Sequence, residues 1–297
     1  MDDRPRSRLS VWRLVGWIVT ILALGFIIRW LLRLDHTVWQ SLLHLRLWWV
    51  IGGLAVFQVW FLLRFLAWEV IVRRHGSELQ RHQTLRSWTI SELMRYVPGN
   101  VWSFAAKYRS SVTAGANPSG AIQALVVEAF GLLSGAALIS ALFLDPQRWW
   151  WVALGIVVLL PLATPWIFVG VAKLLHWKDV PRVSLTESLV LLLWYCFVWL
   201  VFGLASAMIY HSFPALPTIT YARLIGINVA AWLVGYISII TPMGLGVREV
   251  TFVKLVAGTL TNAAASLVAL VTRVVFVISE LIFLGIVLTW YGVKRRG

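Results

Sequence analysis

The run TESLVLLLWYCFVWLVFGLASAMIY, residues 186–210, carries a single charged side chain, Glu187. Apolar runs of similar length recur at 12–32, 47–72, 119–144, 149–175 and 262–292. At 1.5 Å of rise per helical residue, about twenty residues match the roughly 30 Å hydrocarbon layer of a bilayer. Such runs predict an all-α polytopic membrane protein, a single integral-membrane domain over 1–297. The composition agrees, with 60% hydrophobic and 13% charged residues, which leaves little chain for a separate soluble domain. Many of the nineteen tryptophans stand near run ends, among them Trp30, Trp39, Trp48, Trp49, Trp149, Trp150, Trp151, Trp177 and Trp290. Aromatic belts at the lipid–water interface have that distribution.

A net charge of +14 could indicate nucleic acid, because basic patches neutralise phosphates. Here the cations lie in short loops at run ends, which is the pattern of positive-inside topology, and no nucleic-acid partner is expected. Cys196 is the only cysteine and lies within an apolar run. It excludes an intrachain disulfide, implies no metal centre and reads as a small hydrophobe. Arg4, Arg6, Arg8 and Arg13 precede the first run like a signal peptide. Without a small-residue cleavage site after it, the segment reads as a retained first helix.

Two further segments, 87–108 and 222–260, are apolar but interrupted, by VPGN at 97–100 and by TPMGLG at 241–246. Lys and Arg cluster at 4–13, 73–86, 107–109, 173–182 and 294–296, whereas 33–46, 145–148 and 211–221 hold only Arg33, Arg46 and Arg148. The clusters share one side only if 87–108 enters and leaves by that side. That side is then the cytoplasm of an inner or plasma membrane, with both termini cytoplasmic. The same reasoning makes 222–260 a hairpin entered from outside. About six full spans plus two broken re-entrant hairpins result. Span–hairpin–span at 47–144 is mirrored by span–hairpin–span at 186–292, an inverted repeat of the kind seen in transporters. A topology in which both interrupted segments cross fully remains the alternative.

The interruptions carry the chemistry. Pro98 and Pro242 break helices and read as hinges, while Gly99, Asn100, Gly244 and Gly246 allow backbone conformations closed to most residues. Half-helix N-termini favour anions, and irregular backbone at membrane depth must line a cavity or be buried in protein. Arg95 precedes the first break, Lys107 follows it, Arg248 follows the second, and Arg273 lies deeper. A charge at the bilayer centre costs roughly 2.5–3.5 kcal/mol on insertion scales, so each needs a partner or a cavity. Glu92 is placed to meet Arg95, and Glu280 to meet Arg273, on shared helical faces. Glu69, Glu128 and Glu249 are further candidates, with Glu69, Glu128 and Glu280 as possible ion or proton carriers. Arg64 is read as snorkelling to an interface. The plainer reading of all these charges is internal ion pairing between helices.

RYVPGNVW at 95–102 and TPMGLGVREV at 241–250 resemble two motifs of the lysylphosphatidylglycerol synthase transmembrane-region family. Order and spacing agree, and the resemblance covers essentially the whole chain. The family includes the flippase half of bacterial MprF proteins and stand-alone proteins found with polyprenyl-linked sugar pathways. The resemblance implies lipid or lipid-linked headgroup translocation and carries over to Arg95, Tyr96, Pro98, Gly99, Pro242, Gly244, Gly246, Arg248 and Glu249. The sequence stops at KRRG without a soluble aminoacyl-transfer domain, so synthesis of the lipid is not expected of it.

Three functions stay open on the sequence. The first is a flippase or scramblase for an anionic phospholipid or polyprenyl-phosphate-linked sugar, with no cofactor and no catalytic residue. The second is an integral-membrane lipid glycosyltransferase, against which stand six histidines in no ligand cluster and no Walker or Rossmann loop. The third is a non-catalytic scaffold for a lipid-synthesis enzyme.

Overall fold

The computed structural model of the chain describes residues 40, 42–75, 80–96, 101–174, 184–238 and 244–294. The expected first span at 12–32, the hinge residues Pro98 and Pro242, Gly99, Asn100 and both termini lie outside the described residues. Nine helices are described: α1 (Leu47–Arg74), α2 (Arg81–Leu93), α3 (Val101–Thr113), α4 (Pro118–Leu144), α5 (Pro146–Leu174), α6 (Leu185–His211), α7 (Tyr221–Ile237), α8 (Val247–Leu255) and α9 (Asn262–Lys294). A single 3₁₀ turn, Met94–Tyr96, extends α2. No strand occurs among the described residues.

Local chemistry sets several helix starts. Asn117 caps α4 by accepting from Ser119 N at 3.0 Å, and Pro118 follows at the position that needs no N–H donor. Ser184 and Glu187 form a reciprocal capping box at α6, with bonds of 3.2 and 2.9 Å. Thr220 caps α7.

α1, α4, α6 and α9 are long and apolar enough to cross a membrane. α1 and α6 pack antiparallel along their whole length. Gly53 faces Ala205 and Ile209, Phe57 meets Phe202, Trp60 meets Trp199, Trp194 Nε1 donates to Leu63 O, and Arg74 pairs with Glu187. α1 and α9 run parallel, joined by Gln58 Nε2 donating to Ser279 O at 2.8 Å and by Phe57 edge-on to Phe276 at 5.2 Å. In lipid, helices associate by close packing rather than by the hydrophobic effect, and small residues permit it. A Cβ at Gly135 of α4 would lie 2.9 Å from the Tyr195 backbone of α6, and one at Gly203 of α6 2.9 Å from Ile225 Cα of α7. The bundle's outward face is apolar, with Leu62, Leu193, Phe197, Ile278 and Leu281 all exposed.

The ends of the bundle differ. His75, after α1, lies against Gly120 at the start of α4, and Arg74 reaches Glu187 at the start of α6. Arg73, Arg74, Arg81, Arg86 and Arg109 therefore belong to one basic end. At the other, Arg46 N donates to Ser212 O at 2.9 Å, and the His211 and Tyr221 rings stand 4.5 Å apart. α2 and α3 have 13 residues each, about 20 Å of helix, and pack on each other. α2 starts close after His75 and α3 ends close before Pro118, so both outer ends of this pair lie at the basic end. α8 is shorter still, at 9 residues, and packs on α7 and α9. Phe252, Val256 and Leu260 of that region share a core with Tyr210, Phe213 and Leu224 at the opposite end.

The packing pairs recur between the halves. α1 lies on α6; α4 touches α6 and α7, as α9 touches α1 and α2; α3 packs on α4, as α8 packs on α9.

Candidate functional site in the bundle centre

Arg64 stands ten residues before the end of α1, and Glu128 ten after the start of α4. Each is about 15 Å from the basic end. Glu280 falls near the middle of α9. All three are buried, with Glu92 of α2, Arg95 of the 3₁₀ turn and Lys107 of α3. Together these six form one charge cluster.

Glu92 is its hub, receiving Arg64 Nη1 at 2.5 Å, Lys107 Nζ at 3.0 Å and Arg95 Nη1 at 3.3 Å. Lys107 also donates to both oxygens of Glu128, at 3.0 and 2.9 Å, and Arg64 lies 3.5 Å from that carboxylate. Arg95 Nη2 donates to Glu280 at 2.6 Å, tying the 3₁₀ turn to α9. Rings complete the shell: Arg64 lies over Trp60 and Trp88, and Lys107 over Trp68 and Trp88, at 4.9–5.7 Å. Three cations and three carboxylates neutralise each other here, which offsets their removal from water only because so many bonds are made.

Residues after the second break, from Gly244 on, pack beside the cluster. Gly244 (φ +68°) has its backbone against Gly235 of α7, which in turn lies against Arg248. Glu249 Oε2 accepts from Gly246 N at 2.7 Å and closes the first turn of α8. Its other oxygen accepts from Arg273 Nη1 at 2.6 Å. Arg248 projects inward with its guanidinium over Phe202 and Phe276, at 5.2 and 5.8 Å.

Two cavities of about 30 Å³ each open beside Arg95. Arg95, Ser103, Phe104, Trp232 and Tyr236 line both. Gly235 and Arg248 complete one, while Arg64, Glu92, Lys107 and Glu128 are among the residues completing the other. Trp232 and Tyr236 stack at 4.7 Å and form a shared aromatic wall. Each cavity admits about one or two water molecules, less than a phosphate group needs.

Of the residues singled out from the sequence, Arg95, Lys107 and Arg248 converge on these cavities. Gly244 and Gly246 shape the backbone leading into α8, and Tyr96 closes the 3₁₀ turn. Arg273 and Glu249 pair with each other and are absent from both linings. Two sequence expectations are corrected. Glu280 meets Arg95, not Arg273, because Glu249 approaches Arg273 from another helix. Arg64 does not snorkel, since it lies about ten residues inside α1 and three carboxylate oxygens await it there. The carboxylates read as ion carriers are all paired: Glu69 with Arg73 and Arg81, at 2.8 and 3.1 Å near the basic end, and Glu128 and Glu280 in the cluster. Trp232 and Tyr236 were not anticipated, although their i, i+4 spacing just before the TPMGLG break marks one helical face.

Fold and site define a membrane-embedded helical protein with a charged interior. No protein-family model matches the chain, and no curated protein matches it.

Proposed function

We propose that the protein translocates an anionic lipid or lipid-linked headgroup, as a flippase or scramblase, with α2–α3 and α7–α8 as re-entrant hairpins of an inverted repeat. The observation that carries this reading is the meeting of Arg95 and Arg248, one beside each helix break, on a single cavity at half-depth. The recurring packing pairs, and the position of both outer ends of α2–α3 at the basic end, support the inverted repeat and weigh against the fully crossing alternative. The family resemblance of the two motifs points the same way.

Charge supports an anion. At this depth the described residues bring five cations (Arg64, Arg95, Lys107, Arg248, Arg273) and four carboxylates (Glu92, Glu128, Glu249, Glu280). A guanidinium grips a phosphate through two parallel hydrogen bonds. The cavities as observed correspond to a closed state. Admitting a headgroup requires the two breaks to separate, while the acyl chains stay in the bilayer.

The test is translocation of fluorescent phosphatidylglycerol in proteoliposomes, with thermal stability measured alongside. Arg248→Lys is expected to lose most transport and keep its stability, because an ammonium cannot reproduce the planar fork. Arg248→Gln is expected to lose nearly all. Unchanged transport in Arg248→Lys would reduce the site to a simple charge requirement. Equal loss of stability and transport in both variants would make Arg248 a structural residue and sink the phosphate site.

A further inference from the structure

The three carboxylates of the charge cluster are not equally held. Glu92 takes bonds from Arg64, Arg95 and Lys107, so a proton there would weaken all three. Glu280 is held at 2.6 Å by Arg95, whose contact with Glu92 is a longer 3.3 Å. Glu128 accepts from Lys107, with Arg64 farther off at 3.5 Å. Both of those cations also bond Glu92, Lys107 at 3.0 Å and Arg64 at 2.5 Å. A proton on Glu128 therefore leaves each cation with a carboxylate. Guanidiniums stay charged in any protein, so a change of charge in the cluster falls to a carboxylate or to Lys107.

Glu128 is buried on α4 among groups from several helices. Arg64 of α1, Glu92 of α2, Arg95 of the 3₁₀ turn, Lys107 of α3 and Tyr236 of α7 line a cavity with it. The Tyr195 ring of α6 lies against Gly131, one turn beyond Glu128, and its buried hydroxyl has no hydrogen-bond partner among the described residues. α5 carries no titratable residue between Arg148 and Lys173. The cavity has room for about one or two water molecules. Ser110, which donates to Lys107 O at 3.1 Å, lines a groove of about 580 Å³ between α2 and α3 at the basic end. Arg109 and Thr113 of that groove are exposed, so bulk water comes within about one helical turn of Lys107.

We propose that translocation is coupled to protons, with Glu128 as the proton-binding residue; this rests on the translocation reading. The proton passes from water to a Glu128 oxygen and forms an O–H bond there, while Lys107 keeps its bond to Glu92. Release returns the proton to water on the other side of the membrane. Protonation adds one positive charge beside the cavity that Arg95 shares with Arg248, so proton and anionic headgroup bind together. For a monoanionic lipid the loaded site then carries no added net charge, which lowers the cost of passage through hydrocarbon.

Fluorescent phosphatidylglycerol in proteoliposomes tests this. With one proton per lipid, a gradient of about one pH unit should drive about tenfold accumulation in the leaflet facing the alkaline side, above that in protein-free vesicles. A potassium diffusion potential should drive none. Glu128→Gln should lose the bias and Glu128→Asp should keep it. Infrared difference spectra, recorded on acidifying the solubilised protein, read the same residue without lipid. A carboxylic-acid carbonyl band is expected that shifts in Glu128→Asp and vanishes in Glu128→Gln. Even leaflets in the wild type despite rapid exchange would overturn the coupling and leave the translocation reading intact. No exchange in the wild type would end both. Bias persisting in Glu128→Gln, or a band unmoved by Glu128→Asp, would overturn Glu128 as the proton site.

Discussion

At the scale of single residues, the glycines after TPM are not equivalent. Gly244 combines positive φ with contact: a Cβ there would stand 2.8 Å from both Cα and O of Gly235. Gly246 has open space around the same position, but its φ of +82° and ψ of −46° lie outside even the left-handed well. Alanine at Gly246 therefore meets backbone strain alone, about 1–3 kcal/mol. Alanine at Gly244 adds a collision with backbone that cannot rotate away. Gly244→Ala should lower the melting temperature clearly more than Gly246→Ala in detergent-solubilised protein. The reverse order would show that the α7–α8 contact yields easily. The two glycines, identical as sequence signals, differ in what lies beside them.

At the scale of elements, α9 acts as a strut between the two breaks. It carries Glu280, paired with Arg95 beside the first, and Arg273, paired with Glu249 beside the second. In the second pair Arg273 is the more buried partner, its side chain 8% exposed against 21% for Glu249. Stranding the more buried charge costs more, about 3–5 kcal/mol for a buried pair broken from one side. Glu249→Gln should therefore destabilise the protein more than Arg273→Gln, whose stranded carboxylate keeps its bond from Gly246 N. The double variant should recover much of the loss, because a glutamine still caps α8. Thermal unfolding of the three variants decides it. Additive losses in the double variant would mean that the pair contributes nothing as a pair.

At the scale of the whole molecule, the arrangement makes a topological prediction. Single cysteines at Arg81 and Thr113, in a Cys196→Ala background, should react with an impermeant reagent from one side of the membrane. Cysteines at Arg148 and Thr218 should react only from the other. Labelling of positions 81 and 113 from opposite sides would show that α2 and α3 cross together, and would end the inverted-repeat proposal. The positive-inside bias assigns the side of 81 and 113 to the cytoplasm.

The sequence by itself determined that the chain is helical and where the long helices of the described residues run. Length and apolarity fix both, because a bilayer leaves the backbone no partner but itself. The turn at Gly244–Gly246 was equally legible, since glycine acts on its own neighbours, and so was the pairing of Glu92 with Arg95 one helical turn apart. The partners of the other buried charges were not legible. Arg64 with Glu92 and Glu128, Arg95 with Glu280, and Arg273 with Glu249 all join different helices. Helical periodicity reports only which residues share a face of one element. Which face meets which neighbour, and at what depth, follows from glycine-mediated approach and aromatic packing between elements distant in sequence. The tertiary structure alone decided that Arg95 and Arg248, about one hundred and fifty residues apart, line a common cavity.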